Sequence, residues 1–335
     1  MFDIITFGSA TRDAFFISKK FLLARHKKFT TGRGLCLSLG SKIEIEDVLF
    51  RTGGGGTNTV TTFANQGFKT AFCGTIGKDI SGQMIINELK ASKIYDGFVR
   101  QTNLKPTSYS VILTSPGKDR TILAYRGAST ELAKKDISWK RLKAKWLYLA
   151  PLSGKLCGLF EHLVDFAYKN KMKVVVNPGK SQLSLEKKTL KRILKKIDIL
   201  ILNQEEASLL TNIPYQKERE IFQKLDELVS GIAIMTKGPE GVIVSDGKFL
   251  YQAKPVRSKV VERTGAGDSF GSGFVSSFMK EKDIEKAIQF GVANASSCLK
   301  EWGAKDGLLK KGQKWTKVKI RKELCSAETN ICQIK

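Results

Sequence analysis

Histidine is scarce in this chain of 335 residues, which contains only His26 and His162. Two histidines separated by this distance in the sequence disfavour mechanisms that use a histidine base or several histidine ligands. Cysteine is also sparse, and none of the six cysteines forms a Cys-x-x-Cys pair. We therefore expect reduced, mostly packed thiols rather than a disulfide scaffold or a cysteine-based zinc site.

The chain also lacks a long hydrophobic run. The longest apolar stretch, residues 197–202, is interrupted by Asp198 and is far shorter than the roughly 20 residues needed to cross a bilayer. The first residues resemble a strand rather than a basic region followed by an apolar one, so we expect no signal peptide. These features favour a cytoplasmic globular protein without a membrane partner.

Acidic residues are outnumbered by basic ones, 32 to 57, which gives a net charge of +25. Such an excess could bind nucleic acid through its phosphates. The basic runs are dispersed, however, and lack the interleaved aromatic residues of a base-stacking surface. The pattern therefore disfavours nucleic acid as a partner, and a positive field would equally attract an anionic nucleotide substrate.

Strand-like apolar runs alternate with helical segments along most of the chain. The strand-like runs are residues 2–7, 70–73, 146–149, 173–176, 197–202 and 232–236. This rhythm predicts an α/β fold with a doubly wound, mostly parallel sheet flanked by helices. In such folds ligands bind at the carboxyl ends of the strands.

Two stretches interrupt this rhythm, at about residues 13–50 and 95–126, and the second contains strand-like segments. From about residue 306 to residue 335 the chain becomes a basic tail with Trp315 as its large apolar residue. We expect this tail either to add a terminal strand to the sheet or to be partly disordered.

The most informative segment has three small residues, Gly265, Ala266 and Gly267, in front of Asp268. Small residues allow backbone N–H groups to converge on an anion at the start of a helix. A carboxylate beside such a site can accept a proton from a hydroxyl that attacks a phosphoryl group. The alternative is a glycine-rich turn with Asp268 as an ordinary helix cap.

Five segments in this order resemble the motifs of the ribokinase-like (PfkB) family of carbohydrate and nucleoside kinases. They are residues 53–58, 74–82, 203–206, 236–241 and 262–271, and the resemblance extends over roughly residues 1–305. It implies a kinase domain over 1–305 in which the two interruptions pair into a small β-sheet lid. Dimers formed through the lid occur in this family, so the resemblance allows a homodimer.

The resemblance implies an ATP- and Mg²⁺-dependent phosphotransferase that phosphorylates a hydroxyl of a small sugar. Asp268 matches the family's catalytic base, and Gly265, Ala266 and Gly267 match its anion hole. The residues that match the nucleotide and phosphate site are Thr236, Lys237, Gly238, Gly241, Thr264 and Asn294. Asn203 and Glu206 match residues that organise Mg²⁺ through water, and the alternative for this pair is a helix cap.

Glu262 stands where the family usually has an aspartate that helps to coordinate a monovalent cation. The resemblance therefore raises K⁺ as a further cofactor, although the glutamate side chain is one methylene longer.

For the acceptor, the resemblance implies binding by Asp13, Gly54, Gly55, Asn58 and Arg126. A nucleoside kinase is the alternative within enzymes, because Phe15, Phe16 and Phe29 are available in the first interruption to contact a base. The alternative from another class is a basic nucleic-acid-binding or regulatory protein that keeps the kinase fold without turnover.

Overall fold

A large central sheet forms the middle layer of the protein. The computed structural model describes residues 1–29, 32–115, 120–256, 259–326 and 331–332, and in these ranges the central sheet has eleven strands. In chain order the strands of all sheets are β1 (Phe2–Phe7), β2 (Thr11–Ile17), β3 (Leu22–Arg25), β4 (Arg33–Cys36), β5 (Asp47–Gly53), β6 (Thr70–Gly77), β7 (Tyr95–Thr102), β8 (Ser108–Thr114), β9 (Thr121–Tyr125), β10 (Ala144–Leu149), β11 (Lys173–Val176), β12 (Ile199–Asn203), β13 (Ile232–Thr236), β14 (Val242–Ser245), β15 (Phe249–Ala253), β16 (Ile320–Ser326) and β17 (Ile331–Cys332).

Parallel pairing dominates this sheet. The order is β17-β16-β15-β14-β13-β12-β11-β10-β1-β6-β7, and the strands from β13 to β7 are all parallel. Strands β14 to β17 extend one edge in antiparallel fashion. Every residue of β6 is buried, as expected of a parallel strand covered on both faces.

Helices cover both faces of the sheet. They are α1 (Gly55–Asn65), α2 (Ile80–Ala91), α3 (Gly154–Cys157), α4 (Phe160–Lys169), α5 (Lys180–Leu183), α6 (Lys187–Leu194), α7 (Gln204–Thr211), α8 (Glu218–Leu228), α9 (Ala266–Glu281) and α10 (Ile284–Cys298). Successive residues of β1 point to opposite faces, so Ile5 packs with the core under α4, α6 and α8, whereas Ile4 packs with the core under α9 and α10. The predicted doubly wound α/β fold is confirmed. No helix in the described ranges is long and apolar enough to span a membrane.

A separate four-stranded sheet, here called the small sheet, has the order β5-β2-β8-β9. Strand β2 pairs antiparallel with β5 and parallel with β8, so the sheet is mixed. Strands β3 and β4 form a further two-stranded ribbon within the first interruption. The small sheet therefore contains residues from both interruptions, in agreement with a lid.

The structure corrects two boundaries. The second interruption does not begin at residue 95, because β7 pairs in parallel with β6 and belongs to the central sheet. This edge strand is only partly buried, which concealed it in the sequence. The tail is not separate at residue 306 either, because Leu308 and Leu309 are buried and β16 pairs with β15. Trp315 packs edge-on against Phe290 with ring centroids 5.7 Å apart.

Candidate active site

Helix α9 begins in a loop of small residues. Gly265 precedes the helix in the left-handed region with φ of 79°, and a Cβ at this position would lie 2.3 Å from the Cβ of Ala304. A side chain is therefore excluded at Gly265 by both conformation and space. At Gly267, by contrast, a Cβ would meet no heavy atom within 4 Å. Open space thus adjoins the first turn of a 16-residue helix, where a negative charge is stabilised.

Asp268 lies in this first turn, and Gly265 rather than Asp268 is the cap. The Asp268 Oδ2 accepts a hydrogen bond of 2.8 Å from Nδ2 of Asn58, a buried residue of α1. Burial raises the pKa of the Asp268 carboxyl, and the hydrogen bond from Asn58 opposes this shift. A Cβ at Gly55 would lie 3.6 Å from the Asp268 Oδ1. One carboxylate oxygen is therefore anchored while the other lies near the glycine run, as a proton acceptor requires.

Asp13 lies at the other end of this glycine run, on β2 of the small sheet. A Cβ at Gly53 would lie 2.0 Å from the Asp13 Oδ2, so the carboxylate occupies the space that glycine leaves. Burial raises the pKa of Asp13 to about 6, against the effects of a hydrogen bond from the Ser110 hydroxyl and the charge of Lys305. The run from Gly53 to Gly55 thus connects Asp13 with the neighbourhood of Asp268.

Gly54, at the centre of the run, precedes α1 with φ of 97°. A Cβ there would lie 2.6 Å from the carbonyl oxygen of Ser9. The absence of a side chain keeps this backbone close to the loop that follows β1, between the two carboxylates. The structure therefore brings together four of the predicted acceptor residues: Asp13, Gly54, Gly55 and Asn58.

The fifth predicted acceptor residue, Arg126, directly follows β9 of the small sheet. Its side chain is exposed, and its carbonyl oxygen accepts a hydrogen bond from the Ser108 hydroxyl. The positive charges of Lys305 and Arg12 act on Asp13. The Lys305 Nζ lies 3.0 Å from the Thr52 Oγ1 and 3.1 Å from a Glu88 carboxylate oxygen. Burial lowers the pKa of Lys305. Sequence reasoning missed Lys305 because it belongs to no motif and adjoins the expected start of the tail.

Asn203 and Glu206 connect the end of β12 to the start of α7. The Glu206 N–H donates to the Asn203 Oδ1 at 2.8 Å, and the Asn203 N–H donates to the Glu206 Oε2 at 2.9 Å. The two residues therefore form a reciprocal helix cap. Burial raises the pKa of Glu206, and the charge of Asp268 raises it further. Glu206 and Asp268 thus place negative charge in this region, which the positive charge of Lys180 offsets in part.

The predicted nucleotide loop follows β13, whose last residue, Thr236, pairs in register with Asn203 at the end of β12. The Lys237 N–H donates to the Gly241 carbonyl at 2.8 Å, which closes the turn into β14, and a Cβ at Gly238 would meet no heavy atom within 4 Å. The Lys237 ammonium lies 2.7 Å from a Glu218 oxygen and 3.3 Å from a Glu240 oxygen. The positive charge expected to contact phosphate is therefore already paired.

Asn294 is a packing residue in the interior rather than a nucleotide contact. It is fully buried, and its Nδ2 donates to the Ser269 carbonyl at 2.8 Å and to the Thr62 Oγ1 at 3.3 Å. Its Oδ1 accepts from the Leu309 N–H at 2.9 Å. Protein groups thus engage both ends of the Asn294 amide, which contradicts the expected place of this residue in the nucleotide site.

Glu262 and Thr264 shape the chain just before α9. The Glu262 side chain is 2% exposed, and its carboxylate accepts hydrogen bonds from the Thr264 N–H at 2.5 Å and the Thr264 hydroxyl at 2.9 Å. The Arg120 Nε lies 3.1 Å from the Glu262 Oε1. Sequence reasoning did not identify Arg120, since it precedes β9 of the small sheet and follows no recognisable motif.

Comparison with known proteins identifies the family of this chain. The family model for pfkB family carbohydrate kinases matches residues 3–311, so the chain belongs to this family. It is therefore a sugar kinase, a phosphotransferase with an alcohol group as acceptor. A ribokinase of Haemophilus influenzae is 28% identical over 262 residues, which cover 76% of this chain and 83% of the relative.

Solved structures share the fold. Arabidopsis thaliana ribokinase, complexed with ribose and ATP, matches with a TM-score of 0.75 and 22% identity, covering 92% of this chain and 96% of that one. The nucleoside kinase of Methanocaldococcus jannaschii, an archaeal member of the ribokinase family, matches with a TM-score of 0.74 and 22% identity, over 92% and 95% of the two chains.

Proposed function

We propose that the protein transfers the γ-phosphoryl group of ATP to a hydroxyl of a small sugar, in the manner of a ribokinase or fructokinase. The observation that carries this proposal is the position of Asp268. Its carboxyl has a raised pKa, is anchored by Asn58, and lies in the first turn of α9 beside the open space at Gly267.

Each part of the site has a separate role in this proposed reaction. Asp268 accepts the proton of the acceptor hydroxyl while the hydroxyl oxygen attacks the phosphorus, and general bases typically contribute about 10²–10⁴-fold to a rate. The backbone amides of Gly265, Ala266 and Gly267 stabilise the charge on the phosphoryl oxygens. Asp13 orients the sugar by accepting hydrogen bonds from its other hydroxyls. We assign the small sheet as the lid that excludes water from this transfer.

ATP as the donor is supported by the ribokinase structure that contains ribose and ATP. The surfaces available to it here are the start of the α9 helix and the turn that contains Thr236, Gly238 and Gly241. The N–H and the hydroxyl of Thr264 are already bonded to Glu262. The turn can bring its backbone close to a phosphate, because a Cβ at Gly238 would meet no atom within 4 Å.

Mg²⁺ fits the site in the water-mediated form. Within the described part of the chain, no three histidine, cysteine or acidic side chains cluster as a metal site. Asn203 and Glu206 nevertheless carry side-chain oxygens of the kind that Mg²⁺ binds, and the negative charge of Asp268 acts on Glu206, which supports a cation at this place. The metal supplies charge stabilisation to the phosphates.

The position at Glu262 does not fit a K⁺ ion, in contrast to the fit of Mg²⁺ at Asn203 and Glu206. This carboxylate is already engaged by the Thr264 N–H and hydroxyl and by the Arg120 guanidinium. We therefore assign no step to a monovalent cation.

A nucleoside is the second candidate acceptor. Trp302 is half-buried and meets Phe15 edge-on at 5.7 Å, on the strand that carries Asp13. Such a ring provides a surface on which a base can stack. The structural similarity to the archaeal nucleoside kinase supports the same candidate.

ADP release from Mg-ATP tests the proposal against ribose, fructose, ketodeoxygluconate, fructose 6-phosphate, adenosine, inosine and cytidine. We expect one strong acceptor among the sugars, with its signal lost in Asp268→Asn. A nucleoside as the only strong acceptor would favour the second candidate. Silence across the panel together with salt-dependent retention of nucleic acid would contradict a kinase and favour a binding protein on this fold.

A homodimer through the small sheet is the proposed assembly. Several large apolar side chains on the small sheet and the adjoining ribbon are exposed, namely Leu22, Leu23, Phe50, Ile122, Leu123 and Tyr125. Large apolar side chains exposed on a sheet are candidates for burial between chains. Light scattering at micromolar concentration should give twice the 37.2 kDa chain mass, and Leu123→Lys should reduce it. A monomer at all concentrations would refute the dimer.

A further inference from the structure

Arg120 links the small sheet to the loop before α9. It immediately precedes β9, the edge strand of the small sheet, and its guanidinium reaches the Glu262 carboxylate at 3.1 Å. Glu262 lies three residues before Gly265, the residue that precedes α9. This ion pair therefore joins a strand expected to move with the lid to the loop that forms the anion site.

The environment of Glu262 makes this contact necessary. Its side chain is 2% exposed and that of Arg120 is 24% exposed. A buried carboxylate without a counter-charge strongly destabilises its surroundings. The hydrogen bonds from Thr264 satisfy oxygen lone pairs but bring no full positive charge, so Arg120 supplies the charge that Glu262 requires.

The carboxylate in turn fixes the backbone of the loop. Its Oε2 accepts from the Thr264 N–H and its Oε1 from the Thr264 hydroxyl, so this residue is held at two points. Thr264 is followed directly by Gly265, whose left-handed conformation starts α9. A change in charge at Glu262 is thereby transmitted to the backbone from Thr264 to the start of α9.

We propose that Arg120 is a positioning residue that serves as a built-in cation for Glu262 and couples closure of the small sheet to the order of the α9 loop. The loop is fully arranged only when the small sheet brings Arg120 into place, and the enzyme then needs no added monovalent cation. The kinetic part of this inference rests on the proposed kinase function, whereas the coupling itself does not.

The activity-independent test is hydrogen exchange at the Thr264 amide in the full-length protein. Arg120→Ala should speed this exchange about tenfold or more, because the carboxylate that accepts the Thr264 hydrogen bond loses its counter-charge. Arg120→Lys keeps the positive charge but not the planar guanidinium, so hydrogen exchange at the Thr264 amide should have an intermediate rate. Arg25→Ala, on the exposed ribbon strand β3, is the matched control and should leave the exchange unchanged. Unchanged exchange in Arg120→Ala would overturn the coupling, whatever the enzyme phosphorylates.

The kinetic test uses an acceptor found in the panel and a buffer whose only monovalent cation is tetramethylammonium. The unmodified protein should change in kcat by less than about twofold when KCl is added, whereas Arg120→Ala should lose about tenfold in kcat with little change in acceptor KM. Added K⁺ or guanidinium should restore part of that loss.

Glu262→Gln removes the need for a counter-charge, so combining it with Arg120→Ala should cost less than the sum of the two single changes. Strong K⁺ activation of the unmodified protein, or additive effects in the double variant, would refute Arg120 as the built-in cation.

Discussion

The loop before α9 and the turn after β13 both belong to the expected nucleotide site, yet their charges are arranged in opposite ways. At the α9 loop the acid Asp268 is buried and accepts a hydrogen bond from Asn58, and the space beside Gly267 is open. At the turn the cation Lys237 is already paired with Glu218 and Glu240. The α9 loop is thus prepared for charge that develops during reaction, whereas the turn provides shape and backbone contact. Changes at the first should affect turnover, and changes at the second should affect mainly binding.

The largest expected effect is a contrast between Gly267→Ala, which should lower kcat, and Gly265→Ala, which should lower stability. In Gly267→Ala the added Cβ would meet no heavy atom within 4 Å, so the thermal stability of this variant should equal that of the unmodified protein. The added methyl group would occupy the space that we assign to the phosphoryl group, so kcat should fall about 100-fold. Gly265→Ala should instead destabilise the fold by about 1–3 kcal/mol or more, since φ is 79° and Ala304 is in the way. Calorimetric unfolding and steady-state kinetics on both variants measure the contrast, which equal Tm losses would contradict.

The next effect concerns the acceptor end of the site. Asp13 has a pKa of about 6, so the acceptor KM should rise as the pH falls below 6 and level off above it. Asp13→Asn should raise the acceptor KM about tenfold and abolish this pH dependence, since a hydrogen bond to a charged group is lost. A pH-independent KM in the unmodified protein would contradict this role.

The same carboxyl also predicts a trend in stability. Its folded pKa is raised from 3.8 to about 6, so the folded state binds more protons between these values. The contribution of Asp13 to the free energy of unfolding should therefore be largest below pH 3.8 and decline as the pH rises through 6. Urea unfolding of the unmodified protein and Asp13→Asn across this range isolates the contribution, and parallel curves would contradict it.

A smaller effect is expected at the metal ligands. Glu206→Gln keeps the size of the side chain but removes a carboxylate that lies in the field of Asp268. The Mg²⁺ concentration at half-maximal rate should rise about fivefold, because one charged oxygen ligand is lost. A Mg²⁺ titration of the initial rate measures this shift, and an unchanged midpoint would remove Glu206 from the metal site.

The smallest expected effect is that of Lys237→Ala, in the turn after β13, on the KM for ATP. Lys237 is already neutralised by Glu218 and Glu240, so Lys237→Ala should raise the KM for ATP by less than about threefold. A loss of 100-fold would show that the ammonium leaves its partners to contact phosphate. In that case the turn, like the α9 loop, would be prepared for charge.

The sequence predicts the parallel sheet and the position of Asp268 well because both depend on local patterns. Buried parallel strands such as β6 are continuous apolar runs, and the small residues before Asp268 are adjacent in the chain. Arg120 and Lys305 were not predicted, since their partners Glu262 and Glu88 are more than 140 residues away in the chain. A core-facing place for Asn294 was the alternative to a nucleotide contact, but its hydrogen-bond partners Thr62 and Leu309 follow from no local pattern.

The most direct test of the central claim is phosphorus NMR of the reaction mixture, which distinguishes phosphoryl transfer from hydrolysis of ATP. With Mg-ATP and the strongest acceptor, the unmodified protein should convert the γ-phosphate signal into that of a phosphate ester on the acceptor. Asp268→Asn should bind ATP with unchanged affinity yet form this ester about 10²–10⁴-fold more slowly. Ester formation at a near-normal rate in Asp268→Asn, or inorganic phosphate as the only product of the unmodified protein, would contradict the account.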